Sequence, residues 1–238
     1  MAHTVPRRRQ RATGPIYALA GLLLFLGLLL GRRDERGVNR IPRPLRMLSS
    51  ALVLLAALLQ ARRGSSRLVA AGMGCGFVGD LIMAELLPLP EHVLFGMLSF
   101  GVGHGCYLRA LGARRRAAGL DIPAAGRAAL PLAWLVALAG WLGLVRNPKI
   151  SAALNCAALA YALLLASMAG AAAALATADR RYTGVALGGG LFLLSDIILA
   201  ARLFRQAHFN QIGDVVWLTY IAGQALIVGG FDQGADAA

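Results

Sequence analysis

The chain has 238 residues, 58% of them hydrophobic and 15% charged, where an ordinary soluble domain carries about a quarter charged residues. With a mean hydropathy of +0.65, these values exclude a soluble globular protein and define a membrane protein. The formal charge of +13 does not indicate a nucleic-acid partner. The arginines lie in short clusters between apolar runs, RRRQR (7–11), RRDER (32–36), ARR (61–63), ARRR (113–116) and DRR (179–181), as in loops that face anionic lipid headgroups.

In chain order, a basic tail over 1–14 leads into an apolar run with no small-residue cleavage site, which reads as a retained first helix. Runs of about 17–25 apolar residues can cross a bilayer as helices. Eight are expected, at 15–31, 45–61, 67–87, 91–111, 128–145, 151–177, 183–203 and 213–231, followed by a short tail at 232–238. The expected fold is therefore all-α: a polytopic helical bundle forming one integral-membrane domain over 1–238, since backbone polar groups in hydrocarbon must be satisfied within the chain. Eight spans put both termini on one face. Fourteen Lys and Arg on that face against ten on the other favour cytoplasmic termini, although the loop RRDERGVNRIPRPLR opposes this. A plasma or inner membrane is the simplest location. A shift of 116 residues lays Asp80 on Asp196, Leu81-Ile82-Met83-Ala84 on Ile197-Ile198-Leu199-Ala200, and His104 on Tyr220. Two parallel four-helix halves would produce this echo, and so would the chance likeness of apolar helices.

The polar residues inside the spans carry the functional information. A charge near a bilayer centre costs about 2.5–3.5 kcal/mol even on lenient scales. Asp80 in the third span and Asp196 in the seventh are thus candidates for function, with bonding to a neighbouring Ser or Asn as the packing alternative. His104 and Tyr107 share a face of the fourth span. Trp217, Tyr220 and Gln224 share a face of the eighth. Asn155 lies near the start of the sixth. For His104, Tyr107 and Trp217, ordinary core packing is a competing account. Glu85 and Asp214 sit near helix ends, where solvation is expected. Cys75, Cys106 and Cys156 read as small buried hydrophobes. The chain has no H-E-x-x-H, no cysteine–histidine ligand spacing and no G-x-S-x-G elbow, so neither a metal site nor that nucleophile motif is indicated. Two carboxyls in matched apolar settings can divide the work of general acid and general base. They could instead bind protons or a cation in a transporter, or stand in a non-catalytic lipid-binding scaffold.

The blocks GMGCGFVGDLIMAELL…FGMLSFGVGHGCYLRAL (72–111) and GVALGGGLFLLSDIILAARLF…WLTYIAGQALIVGG (184–230) carry a specific paired motif. The first holds Gly79-Asp80, Phe95, Phe100 and His104-Gly105-Cys106-Tyr107. The second holds Ser195-Asp196, Trp217, Tyr220 and Gln224. Together they resemble the two signatures of the YhhN-like membrane proteins, the lysoplasmalogenases. Arg43-Pro44 resembles the family's Lys-Pro, with Arg in the Lys position, and Tyr161 and Met168 fit a looser pattern. The resemblance implies hydrolysis of the vinyl ether of a lysophospholipid to a fatty aldehyde and glycerophosphoethanolamine or glycerophosphocholine, with no metal or organic cofactor. On this reading Asp80 and Asp196 are catalytic. His104, Tyr107, Trp217, Tyr220, Gln224 and Asn155 contact or orient the substrate, and the partners are the lysophospholipid and membrane lipids.

Overall fold

The computed structural model describes residues 10–61 and 65–233. Among these the chain is helical, with no strand. The elements are α1 (Gln10–Leu30), α2 (Arg43–Gln60), α3 (Ser65–Met83), α4 (His92–Ala117), a single turn α5 (Ala124–Arg127), α6 (Ala129–Gly140), α7 (Ala152–Ala178), α8 (Thr183–Arg205) and α9 (Ile212–Gln233). A π-helical turn, Trp141–Val145, continues α6. Helix α1 begins inside the stretch read as a basic tail, and most of 232–238 and of 1–14 lies outside the described residues.

Among the described residues, seven segments are long and apolar enough to cross a membrane: α1, α2, α3, α5–α6 with its π turn, α7, α8 and α9. The chain is an integral membrane protein. The eighth expected span, α4, is long enough but falls short in apolarity. It carries His104, Arg109, Arg114, Arg115 and Arg116, and it packs most extensively on α3. Large apolar side chains point away from the bundle, including Phe25, Leu29 and Leu30 on α1 and Leu132 and Leu135 on α6. In water such a belt would be an interaction surface; here it faces acyl chains.

The two halves pack alike. Helix α3 lies against α4 as α8 lies against α9, α1 against α2 as α6 against α7, and α4 meets α7 as α9 meets α2. The 116-residue shift carries each of these pairs onto its counterpart. Gly72 and Gly188, themselves 116 apart, are both crossing points. A Cβ on Gly72 would stand 3.0 Å from the Gly103 carbonyl oxygen, and one on Gly188 would stand 2.6 Å from that of Gly223. Small residues let helix backbones meet where lipid offers no hydrophobic drive between helices.

The connections 31–42 and 206–211 interlock at one end of the bundle. Gly37 takes φ +65°, the Gln211 N–H donates to the Gly37 carbonyl (2.8 Å), and the Gly213 N–H donates to that of Val38 (2.9 Å). Asp214, expected to be solvated, is buried. Its carboxylate accepts the backbone N–H groups of Arg40 (2.6 Å) and Ile41 (3.1 Å), so it closes a loop whose amides would otherwise be orphaned. Glu85 is exposed, as expected.

Candidate active site

Helices α2, α3, α4, α6, α7, α8 and α9 enclose a cavity of about 360 Å³. Asp80 and Asp196 both line it, together with Tyr161, Ser195, Trp217, Tyr220, Phe100 and Phe192. Asp80 is buried and accepts two hydroxyl donors on the same oxygen, Oδ2. One comes from Ser50 of α2 and the other from Tyr220 of α9 at 3.0 Å. Asp196 accepts the Tyr161 hydroxyl of α7, again on Oδ2. Neither carboxyl is salt-bridged to a described Lys or Arg, and no described group donates to either Oδ1. Each aspartate therefore has one oxygen fixed by the protein and one left for the cavity.

Behind each aspartate runs a chain of polar groups. The Tyr107 hydroxyl donates to Gln224 Oε1 (2.7 Å), Gln224 Nε2 donates to the Tyr220 oxygen (3.3 Å), and Tyr220 reaches Asp80. On the other side His104 Nε2 lies 3.4 Å from the Tyr161 oxygen. Because the Tyr161 hydrogen is committed to Asp196, the tautomer that suits both bonds carries its proton on Nε2. His104 Nδ1 is buried without a partner among the described residues. The imidazole is wedged edge-on to Phe192, with centroids 4.6 Å apart. Phe192 also packs against Tyr220 at 5.0 Å and Phe100 at 6.3 Å.

The glycines of GMGCGFVGD make this packing possible. Gly72, Gly76 and Gly79 recur at spacings of four and three and share a face of α3. A Cβ on Gly76 would fall 2.8 Å from Gln224 Nε2 and 3.3 Å from the Tyr220 hydroxyl, and one on Gly79 would fall 2.8 Å from the Phe100 ring. The glycines leave space for the side chains that reach Asp80.

Of the residues singled out in sequence, Asp80, Asp196, Tyr220 and Trp217 line the cavity. His104, Tyr107 and Gln224 stand behind them, as supports of the carboxyls and not as cavity wall. Asn155 is not brought to the site. Its side chain accepts the Asn147 N–H (3.2 Å) and donates to the Asn147 carbonyl (2.9 Å), and its own carbonyl accepts from Trp141 Nε1 (3.0 Å), so it ties down the turn before α7. Substrate contact by Asn155 is therefore corrected to a loop-holding role. Sequence reasoning named neither Ser50 nor Tyr161 as a site residue. The adjacent Ser49-Ser50 beside the apolar run of α2 was the available signal for the first. The cavity continues past Met47, Met83 and Trp217 to Asn39, Arg43, Arg46 and Arg202 at one end, while Val93, Met97, Val136, Leu144 and Ala162 form an apolar wall. No group of three or more His, Cys, Asp and Glu side chains among the described residues is arranged to hold a metal ion.

A multi-helix membrane bundle with one buried and one partly buried carboxyl on one largely apolar cavity defines a polytopic membrane protein with a polar site among its helices. Residues 43–231 match the YhhN family, and the chain belongs to that family, the family of lysoplasmalogenases. The match spans α2 to α8 and most of α9, and it covers every cavity-lining residue except Asn39. No curated protein and no solved structure matches the chain.

Proposed function

We propose that the protein hydrolyses the vinyl ether bond of a lysoplasmalogen, with Asp80 and Asp196 as general acid and general base. The observation that carries this reading is that the two carboxyls line one cavity, each held through a single oxygen. Membership of the lysoplasmalogenase family supports it.

The chemistry needs one proton donor, one water and one acceptor. A carboxylic acid protonates the β-carbon of the vinyl ether, and the double-bond electrons form the new C–H bond. The α-carbon becomes an oxocarbenium ion, which the other carboxylate stabilises. That carboxylate takes a proton from water as the water oxygen bonds to the α-carbon, giving a hemiacetal. The hemiacetal hydroxyl then loses its proton, the bond to the glycerol oxygen breaks, and that oxygen is protonated. The products are a fatty aldehyde and the glycerophospho head. One water is consumed, and no cofactor enters the sequence. Tyr220 and Tyr161 orient the carboxyls, while Gln224, Tyr107 and His104 hold the tyrosines.

The test is aldehyde release from a synthetic lysoplasmalogen by purified protein in detergent, beside Asp80→Asn and Asp196→Asn. Release that disappears in both variants supports the reading. A folded wild-type protein that releases none refutes it. Because detergent leaves no compartments, turnover there also separates hydrolysis from transport.

A further inference from the structure

The chemistry of the two carboxyls leaves the polar end of the cavity unexplained. Three arginines meet there: Arg43 and Arg46 from the first turn of α2, and Arg202 from the last turn of α8. Arg43 and Arg202 make no hydrogen bond or salt bridge with a described residue. Arg46 lies close enough to both to feel their charge, as well as that of Asp214 and Asp34. Asp214 is already committed to two backbone amides. Glu85, which shares the lining, is exposed and reaches His92 at 4.0 Å.

Arg46 is held in place. Its Nη1 donates to Asn39 Oδ1 at 2.8 Å, Asn39 Nδ2 in turn donates to Asp34 at 2.9 Å, and the guanidinium carbon sits 5.9 Å from the centre of the Trp217 ring. Its Nε is buried and has no acceptor among the described residues. A buried guanidinium N–H without a partner is costly, and three like charges around one opening call for an anion. Arginine is also the side chain best suited to phosphate oxygens, through paired N–H donors.

The spacing to the carboxyls fits a lipid. Arg43 and Arg46 lie seven and four residues before Ser50, the donor to Asp80, and Arg202 lies six after Asp196. At 1.5 Å per residue these offsets place the arginines about 6–10 Å along the helix axes from the carboxyls. A glycerol backbone is shorter than this from its phosphate oxygen to the ether oxygen at the other end, and the length of the arginine side chains makes up the difference. Alongside the arginines and the carboxyls the wall from α4 and α6 is apolar. Both helices pack on α7 but little on each other, which leaves a lateral way for a chain.

The geometry points to Arg43, Arg46 and Arg202 as a phosphodiester site that binds the headgroup of a single-chain glycerophospholipid and sets the register of its ether against Asp80 and Asp196. This deepens the reading of the cavity as a lipid hydrolase site and rests on it for the identity of the ligand.

The test is binding, not turnover, so it stands apart from the vinyl ether chemistry. Wild-type protein in nonionic detergent is titrated by thermophoresis with a saturated 1-O-alkyl glycerophosphocholine, which it cannot cleave, and with the matching 1-O-alkylglycerol, which lacks the phosphate. The phospholipid is expected to bind about tenfold tighter or better. Arg43→Gln and Arg202→Gln should each remove most of that preference while leaving the affinity for the alkylglycerol in place. Arg46→Lys should keep part of it, having the charge without the fork. Equal binding of the two lipids, or a preference that both Gln variants retain, overturns the proposal. Soluble glycerophosphocholine binding as tightly as the lipid would assign the site to a free phosphate ester and overturn the lipid headgroup. Arg43 is exposed, so its variant is a test that does not hinge on core packing.

Discussion

His104 and Tyr220 stand 116 residues apart in the sequence, and each leads to the aspartate of the opposite half of the chain. Tyr220 on α9 donates directly to Asp80 on α3, and His104 on α4 reaches Asp196 on α8 through Tyr161. The fourth helix of each half thus completes the site of the other. Each carboxyl also takes a hydroxyl from its own half, Ser50 for Asp80 and Tyr161 for Asp196, and the cavity is a property of the pair.

Replacing either carboxyl should abolish the reaction. Asp80→Asn and Asp196→Asn keep the shape and remove the acid or base, and proton transfer by a positioned group contributes about a hundredfold to ten-thousandfold. Aldehyde release should fall by at least the lower figure in each. Unchanged release in either variant would remove that residue from the mechanism.

The two polar chains differ in length, and their tyrosines should differ in effect. Tyr161→Phe deletes the direct donor to Asp196, and a hydrogen bond to a charged group is worth about 1.5–3 kcal/mol, so kcat should drop by about tenfold or more. Tyr107→Phe removes a group three hydrogen bonds away from Asp80 and should cost only a few-fold. Steady-state kinetics on the two variants would show this order, and the reverse order would undo the assignment of roles.

Two glycines allow close approach for different reasons. On Gly76 an added methyl meets the ends of the Gln224 and Tyr220 side chains, which can yield. On Gly188 it meets the Gly223 backbone, which cannot. Gly188→Ala should therefore destabilise the fold by about 1–3 kcal/mol, read as a lowered melting temperature in detergent. Gly76→Ala should melt close to wild type yet lose activity, because Tyr220 is pushed off Asp80. A Gly76→Ala protein of full activity would show that Tyr220 does not orient the carboxyl.

The loop that carries Asn39 and precedes Arg43 is held by Asp34. Slight burial pushes the Asp34 carboxyl up, but the bonds from the Asn39 side chain and from the Val38 and Asn39 N–H groups outweigh it, and the group sits below its ordinary value. A carboxyl depressed in the folded state lends stability above its unfolded value of about 3.9 and loses it as pH falls through the lower, folded one. Exchange protection of the Val38 and Asn39 amides should persist at pH 5 and fade only under more acidic conditions. In Asp34→Ala it should be weak throughout. Equal protection in the variant would mean that the loop is held by its contacts to 206–211 alone.

Much of this arrangement was legible in the sequence because lipid punishes buried polarity. The helices followed from run length, and the aspartates stood out as charges in apolar runs. The 116-residue echo corresponds to the matched packing of the two halves. What stayed hidden depends on partners distant in sequence. Tyr161 in an alanine-rich helix looks like a packing aromatic until α8 brings Asp196 to it. Asp214 looks like a solvated helix start until loop 31–42 folds over it. Arg43, Arg46 and Arg202 look like ordinary interfacial arginines, since their clustering arises only from the approach of α2 and α8. Asn155 misled in the other direction, because a polar residue near a helix start serves a turn as readily as a site.

The modest apolarity of α4 bears on how the chain enters its membrane. An insertion machinery that weighs each segment by its own hydrophobicity would hold α4 weakly, because it carries a histidine and several arginines among its glycines. Its most extensive packing is with α3, the helix immediately before it. The two are therefore expected to enter as a hairpin, with α3 retaining a partner that the bilayer alone would release. A chain stopped after α4 should be drawn out by extraction at high pH more easily than one stopped after α7, whose arrival supplies the second packing surface for α4 and brings Tyr161 to His104.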